Sequence, residues 1–208
     1  MNTESLIAFI LASGLISFAP GPDNLFVLTQ SALYGKRSGI IVTLGLCTGL
    51  VVHTCAVALG IAALFQTSPL AFNILKYAGA AYLLYLAWQA YKAKPSQVSH
   101  QKQAALSVRA LYLRGIIMNV TNPKVSIFFL AFLPQFVHPG QGNLAFQFIA
   151  LGATFIVVAF LVFSLIATMA GYLGNKLSQS PKSQLYLNRI AGVVFVGLAA
   201  KLVASSAH

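Results

Sequence analysis

The segment Ser17-Phe18-Ala19-Pro20-Gly21-Pro22-Asp23-Asn24 decides the fold, because it sets two prolines, a glycine and one of the chain's two acids inside an apolar run at 6–33. Each proline lacks a backbone donor and its ring crowds the preceding turn, so a helix through this run must break here. In a straight helix Pro20 would free the Ile16 carbonyl and Pro22 the Phe18 carbonyl, and hydrocarbon accepts such groups only beside protein or a polar cavity. Pro22 suits the first position of a new half-helix, which puts Asp23 in a first turn where unpaired N–H groups stabilise its charge. Asn24 adds a neutral donor and acceptor.

The rest of the chain has the composition of a membrane protein. Of its 208 residues 58% are hydrophobic and 7% charged, against about 25% charged in a soluble domain, and its mean hydropathy is +0.82. Thirteen lysines and arginines face only Glu4 and Asp23, a net charge of +11, yet the bases are scattered between apolar runs. A nucleic-acid domain would cluster them on a polar surface, so no nucleic acid is expected, and anionic lipid headgroups are the expected partners of this charge. The apolar start lacks the basic stretch of a secretory signal and is read as a retained first helix. Cys47 and Cys55 share one apolar run and are read as packing residues. His53, His100, His138 and His208 are dispersed, and no CxxC, HExxH or P-loop occurs. No metal, cofactor or enzymatic centre is expected.

Six runs are long enough to cross the hydrocarbon as helices: 6–33, 39–65, 72–91, 110–133, 144–174 and 185–204. All are apolar on every face, which argues against a β-barrel. The sixth is the least apolar, since Arg189 and Lys201 flank its centre. Lys36, Arg37, Lys92, Lys94, Lys102, Arg109, Arg114, Lys176, Lys182 and Arg189 fall on one side, and only Lys76 and Lys201 near the other. Lysine and arginine mark cytoplasmic loops, so both termini are expected outside, and Trp88 and Tyr91 are read either as aromatics at the cytoplasmic interface or as helix-packing residues.

The polar stretch 94–108 divides the chain into 1–93 and 109–208, three helices each. An odd number of spans per half implies inverted repeats. Lys76-Tyr-Ala-Gly79-Ala-Ala-Tyr82 echoes Arg189-Ile-Ala-Gly192-Val-Val-Phe195. The expected fold is therefore an all-α polytopic membrane protein, with six transmembrane helices in two inverted three-helix repeats and breaks in helices one and four.

Helix four supplies the matching break in Asn119-Val-Thr121-Asn122-Pro123-Lys124. Asn122 is a natural N-cap and Pro123 a natural first helical residue. The N–H groups of this half-helix are expected to be open to a substrate carboxylate, with Lys124 facing an anion or Asp23. Pro20, Gly21, Pro22, Asp23, Asn24, Asn119, Asn122, Pro123 and Lys124 are thus the candidate substrate-binding or coupling residues. Two functionless kinks and a structural Asp23–Lys124 pair are the competing reading. The Asn119-Val-Thr121 sequon lies mid-span, out of reach of glycosylation. His53 is a candidate proton relay, against the simpler reading as a neutral, packed histidine. Small-residue faces leave a homo-oligomer open.

At these residues the chain resembles the LysE/RhtB family of bacterial amino-acid exporters, which includes homoserine-, threonine- and leucine-type efflux proteins. The resemblance rests on Ser17 to Asn24, Gly35-Lys36-Arg37-Ser38-Gly39, Gly79-Ala80-Ala81-Tyr82-Leu83-Leu84-Tyr85-Leu86, Asn122-Pro123-Lys124 and Phe132-Leu133-Pro134-Gln135-Phe136. It implies export of a small amino acid or derivative across the bacterial inner membrane, coupled to protons, with the broken-helix motifs lining the route. On this reading a zwitterion's ammonium meets Asp23, its carboxylate meets the half-helix ends near Asn24 and Asn122, and protonation of Asp23 outside releases it. A passive channel or facilitator through the same breaks is the alternative.

Overall fold

The computed structural model describes residues 3–61, 69–93, 105–138, 140, 142–173 and 181–204. Most of the expected linker at 94–108, together with Lys94, His100, Lys102, Lys176 and His208, lies outside the described residues. Among the described residues all regular structure is helical. The elements are α1 (Thr3–Phe18), α2 (Pro22–Tyr34), α3 (Lys36–Ala56), α4 (Pro69–Lys92), α5 (Val108–Val120), α6 (Pro123–Ile127), α7 (Leu144–Leu173) and α8 (Pro181–Ala204). A π segment, Val57–Ile61, continues α3. A second, Phe128–Phe132, follows α6 and passes into a 3-10 turn, Leu133–Phe136.

Both expected breaks are present. α1 and α2 meet at a bend of 61°, and α5 and the α6-to-Phe136 unit at 48°. By length and composition, Lys36–Gly60 and Leu144–Tyr172 can each cross a membrane, and each bent pair passes the same test as one span. α4 and α8 have 24 residues each, about 36 Å of helix. Large apolar side chains cover the outside, with Leu59 80%, Phe146 72% and Val193 74% exposed. A surface of this kind is stable in lipid, where the backbone is satisfied within each helix.

Small residues set the helix contacts, because a glycine lets two helices approach to backbone distance. α3 and α5 run parallel and touch at Gly45 and Gly115, where a Cβ on Gly115 would meet the Val42 carbonyl 2.5 Å away and one on Gly45 the Tyr112 carbonyl. On the opposite flank α1 lies against α7, with Gly14 facing Val158. α3 and α7 run antiparallel, Gly39 against Ala167 and Gly152 against Thr54. So do α4 and α8, Gly79 against Leu202 and Gly192 against the Ala87 carbonyl. Gly35, at φ +86°, makes the turn from α2 into α3 that only glycine adopts without strain.

The core is aromatic where the second break enters it. Phe9, Phe128, Phe129, Phe132, Phe136 and Phe155 are all buried and in ring contact, with Phe128 5.0 Å from both Phe132 and Phe155. Phe9 packs edge-on to Phe136 at 5.1 Å.

Candidate functional site

The first break is built by local rules and closed by a distant one. α1 ends at Phe18, Gly21 is the extended N-cap of α2, and Pro22 takes the first helical position. Pro20 donates nothing, so the last carbonyls of α1 need other partners. Asn24 Nδ2 donates to the Ser17 carbonyl at 2.6 Å. Lys124 Nζ donates to the Ile16 carbonyl at 3.2 Å and to the Ala19 carbonyl at 2.9 Å. Ile16 is the carbonyl that Pro20 is expected to free.

At the second break Asn122 is the N-cap and Pro123 the first helical residue, as their order implies. The open anion site expected there is not found. Asn122 Oδ1 accepts from the Lys124 N–H at 3.0 Å, and the Asn122 carbonyl accepts from Val125 and Ser126. Pro123 has no N–H, so the first turn of α6 is saturated. Lys124 and Asp23 line the same chamber and their charges act on each other through space, but the described residues include no direct ion pair between them. A freed carbonyl in an apolar surrounding is a strong acceptor, and Lys124 answers two of them.

The breaks meet through Asn119, whose Nδ2 donates to Asp23 Oδ2 at 3.3 Å. His53 Nε2 lies 3.2 Å from the Asn119 carbonyl, and because a carbonyl only accepts, Nε2 carries the proton. The His53 ring packs 5.5 Å from Phe129. Between these groups is a chamber of about 10 Å³, room for about one water-sized group and far less than an amino acid. Its polar wall is Ser17, Asp23, Asn119 and Lys124. Its apolar wall is Ile16, Leu50, Val125, Phe128, Phe155 and Phe163.

Ser17, Asp23, Asn24, Asn119, Asn122 and Lys124 are all buried, yet Ser17 Oγ, Asp23 Oδ1, Asn24 Oδ1, Asn119 Oδ1 and Asn122 Nδ2 have no hydrogen-bond partner. Buried polar atoms are normally satisfied, so such a concentration calls for an occupant. Of the expected site residues, Pro22 and Pro123 shape the breaks from exposed positions. Pro20 is half-buried, and Gly21 leaves the space beside Lys124 Nζ that a Cβ would crowd at 3.1 Å. Sequence reasoning missed Ser17, although it lies in the first motif, and the phenylalanine wall, for which no local signal exists.

An apolar exterior and two bent helices whose polar breaks face each other across a small chamber are the features of a helical membrane protein with an internal polar site. The chain belongs to the family of LysE type translocators, whose model matches residues 15–206. It is a transporter and not an enzyme. A homoserine/homoserine lactone efflux protein of Salmonella typhimurium is 38% identical over 208 residues, covering 100% of both chains. A leucine efflux protein of an Enterobacter species is 31% identical over 198 residues, 93% of this chain and 92% of the relative. A Vibrio cholerae membrane protein is 31% identical over 207 residues and matches at full length. No solved structure matches the chain.

Proposed function

We propose that this chain exports small neutral or aliphatic amino acids, or their derivatives, across the bacterial inner membrane by exchange for protons. The observation that carries the reading is the set of unsatisfied buried oxygens on Ser17, Asp23 and Asn119 beside an uncharged wall of Phe128, Phe155 and Phe163. Polar atoms without partners suit the charged end of an amino acid, and the phenyl wall suits a side chain without charge. The names of the homoserine and leucine efflux relatives point the same way. A chamber with room for about one water-sized group favours alternating access over an open pore, which would need a continuous path.

The proposed architecture is six spans in two inverted repeats, 1–93 and 109–208, joined by 94–108. Pro22 and Pro123 are 101 positions apart, and Gly79 and Gly192 are 113 apart. Adding 101 within the first span and 113 in the second and third carries the contacts between the halves onto one another. Gly14–Val158 maps onto Gly115–Gly45, and Gly39–Ala167 onto Gly152–Thr54. Gly79–Leu202 maps onto Gly192–Gln89, where the observed neighbours of Gly192 are Ala87 and Ala90. Asp23 and Lys124 then occupy matching positions with opposite charge. The basic connections face the cytoplasm and its anionic headgroups, with both termini outside.

In the proposed cycle the halves rock about the chamber, ionised Asp23 holds the cargo from the inner side, and a proton taken up outside displaces it. The test uses proteoliposomes loaded with labelled homoserine or leucine under an imposed pH gradient. Wild type should export uphill, and Asp23→Asn should lose coupled export by about tenfold or more. Undiminished coupling in Asp23→Asn would remove Asp23 as the proton carrier, and failure of both amino acids to move would remove the efflux reading.

A further inference from the structure

The orientations of the three asparagines at the breaks are set by the chemistry of their partners. Asn24 Nδ2 faces the Ser17 carbonyl and Asn119 Nδ2 faces the Asp23 carboxylate, both acceptors only, so each must turn its amide nitrogen to that contact and its oxygen away. Asn122 turns its oxygen to the Lys124 N–H. On the chamber wall this leaves three unpartnered oxygens, Ser17 Oγ, Asp23 Oδ1 and Asn119 Oδ1, on residues 4%, 1% and 1% exposed.

The same wall has less to give an anion: its free donors are the Ser17 hydroxyl and one ammonium hydrogen of Lys124, with the unpartnered Asn122 Nδ2 beyond the wall. Lys124 is its only cation, and two of the three ammonium hydrogens are engaged by the Ile16 and Ala19 carbonyls. Turning Lys124 to a carboxylate would leave both carbonyls unsatisfied. The first turn of α6 is capped by Asn122, and the opposite wall is hydrocarbon.

We propose that the chamber anchors its cargo by a primary ammonium group alone, three N–H donors on Ser17 Oγ, Asp23 Oδ1 and Asn119 Oδ1, and gives the carboxylate no anchor. The inference rests on the efflux reading and narrows it. Amines whose carboxylate is masked as an amide, ester or lactone are bound as well as the free amino acid, and 2-hydroxy acids, which keep the carboxylate and lack the nitrogen, are not bound.

The test is competition in wild-type proteoliposomes exporting labelled leucine, with homoserine as the second reporter. Leucine, leucinamide, leucine methyl ester, N-acetyl-leucine and 2-hydroxy-4-methylpentanoate are placed on the loading side in turn. Leucinamide and the ester should compete within about tenfold of leucine. The hydroxy acid and the N-acetyl compound should be weaker by about 100-fold or more, because each leaves buried acceptors unpaired. Competition by the hydroxy acid but not by leucinamide overturns the proposal while export of the reporters keeps the efflux reading intact. Export that requires sodium, and fails when potassium replaces it, would assign the three oxygens to a metal cation and also overturn it. Ser17→Ala, which removes one oxygen from a small buried side chain, should weaken leucine and leucinamide by the same factor. Unequal loss would count against a shared ammonium seat.

Discussion

Lys124 Nζ lies 2.9 Å from the Ala19 carbonyl, so a cation on the second broken helix completes the end of the first. With the bond to Ile16 it holds the two breaks together across 105 and 108 positions of chain. The charge of Lys124 thus acts as a cap before it acts on any solute, and the position of the chamber depends on it.

Lys124→Met keeps the length of the side chain and removes its donors. Two buried carbonyls would then lack partners, at about 1–3 kcal/mol each. The variant should unfold at a clearly lower temperature than wild type in detergent and export nothing. A melting temperature equal to wild type would contradict the capping role.

Gly45→Ala and Gly115→Ala place a methyl group against backbone carbonyls of the facing helix. Backbone cannot swing aside as a side chain does, and overpacking of this kind costs about 1–3 kcal/mol. Gly60→Ala, where a Cβ would meet nothing within 4 Å, is the control. Thermal unfolding should separate the first two variants from the third, and equal stability of all three would show that the crossing is looser than described.

His53 holds the Asn119 carbonyl with one N–H and stacks near Phe129. Glutamine can supply the same donor and cannot carry a proton onward. His53→Gln should therefore keep pH-gradient-driven export, and His53→Leu should lose about 0.5–1.5 kcal/mol of stability with the bond. Loss of proton coupling in the stable glutamine variant would make His53 a relay after all.

Arg37 and Gly140 are both exposed and lie on opposite sides of the proposed orientation. In a chain with Cys47 and Cys55 replaced, Gly140→Cys should react with a membrane-impermeant maleimide added to whole cells, and Arg37→Cys only after the cells are opened. The reverse pattern would invert the topology.

Both breaks were legible because proline and N-cap rules are local. Pro22, Asn122 and Pro123 stand where those rules put them, and the Ile16 carbonyl is freed as Pro20 requires. The helix limits were also close: the run 72–91 lies within the helix Pro69–Lys92, and the run 110–133 begins two residues into the helix that starts at Val108. The hydrogen-bond partners of Lys124 were not legible, since counting charges points to Asp23 and overlooks neutral carbonyls stranded by a proline. The Asn119–Asp23 contact joins residues 96 positions apart, which no local pattern can announce. The π segments were invisible for a different reason, because helices apolar on every face carry no phase from which a change of winding could be read.

Winding Phe128–Phe132 as a π segment stores one residue more than an α turn needs. Rewinding it would exchange one set of main-chain hydrogen bonds for another and turn Phe128 by about 100° relative to Phe136. Such a turn would move one wall of the chamber without unfolding the span that bears it. The aromatic wall carries its own slack.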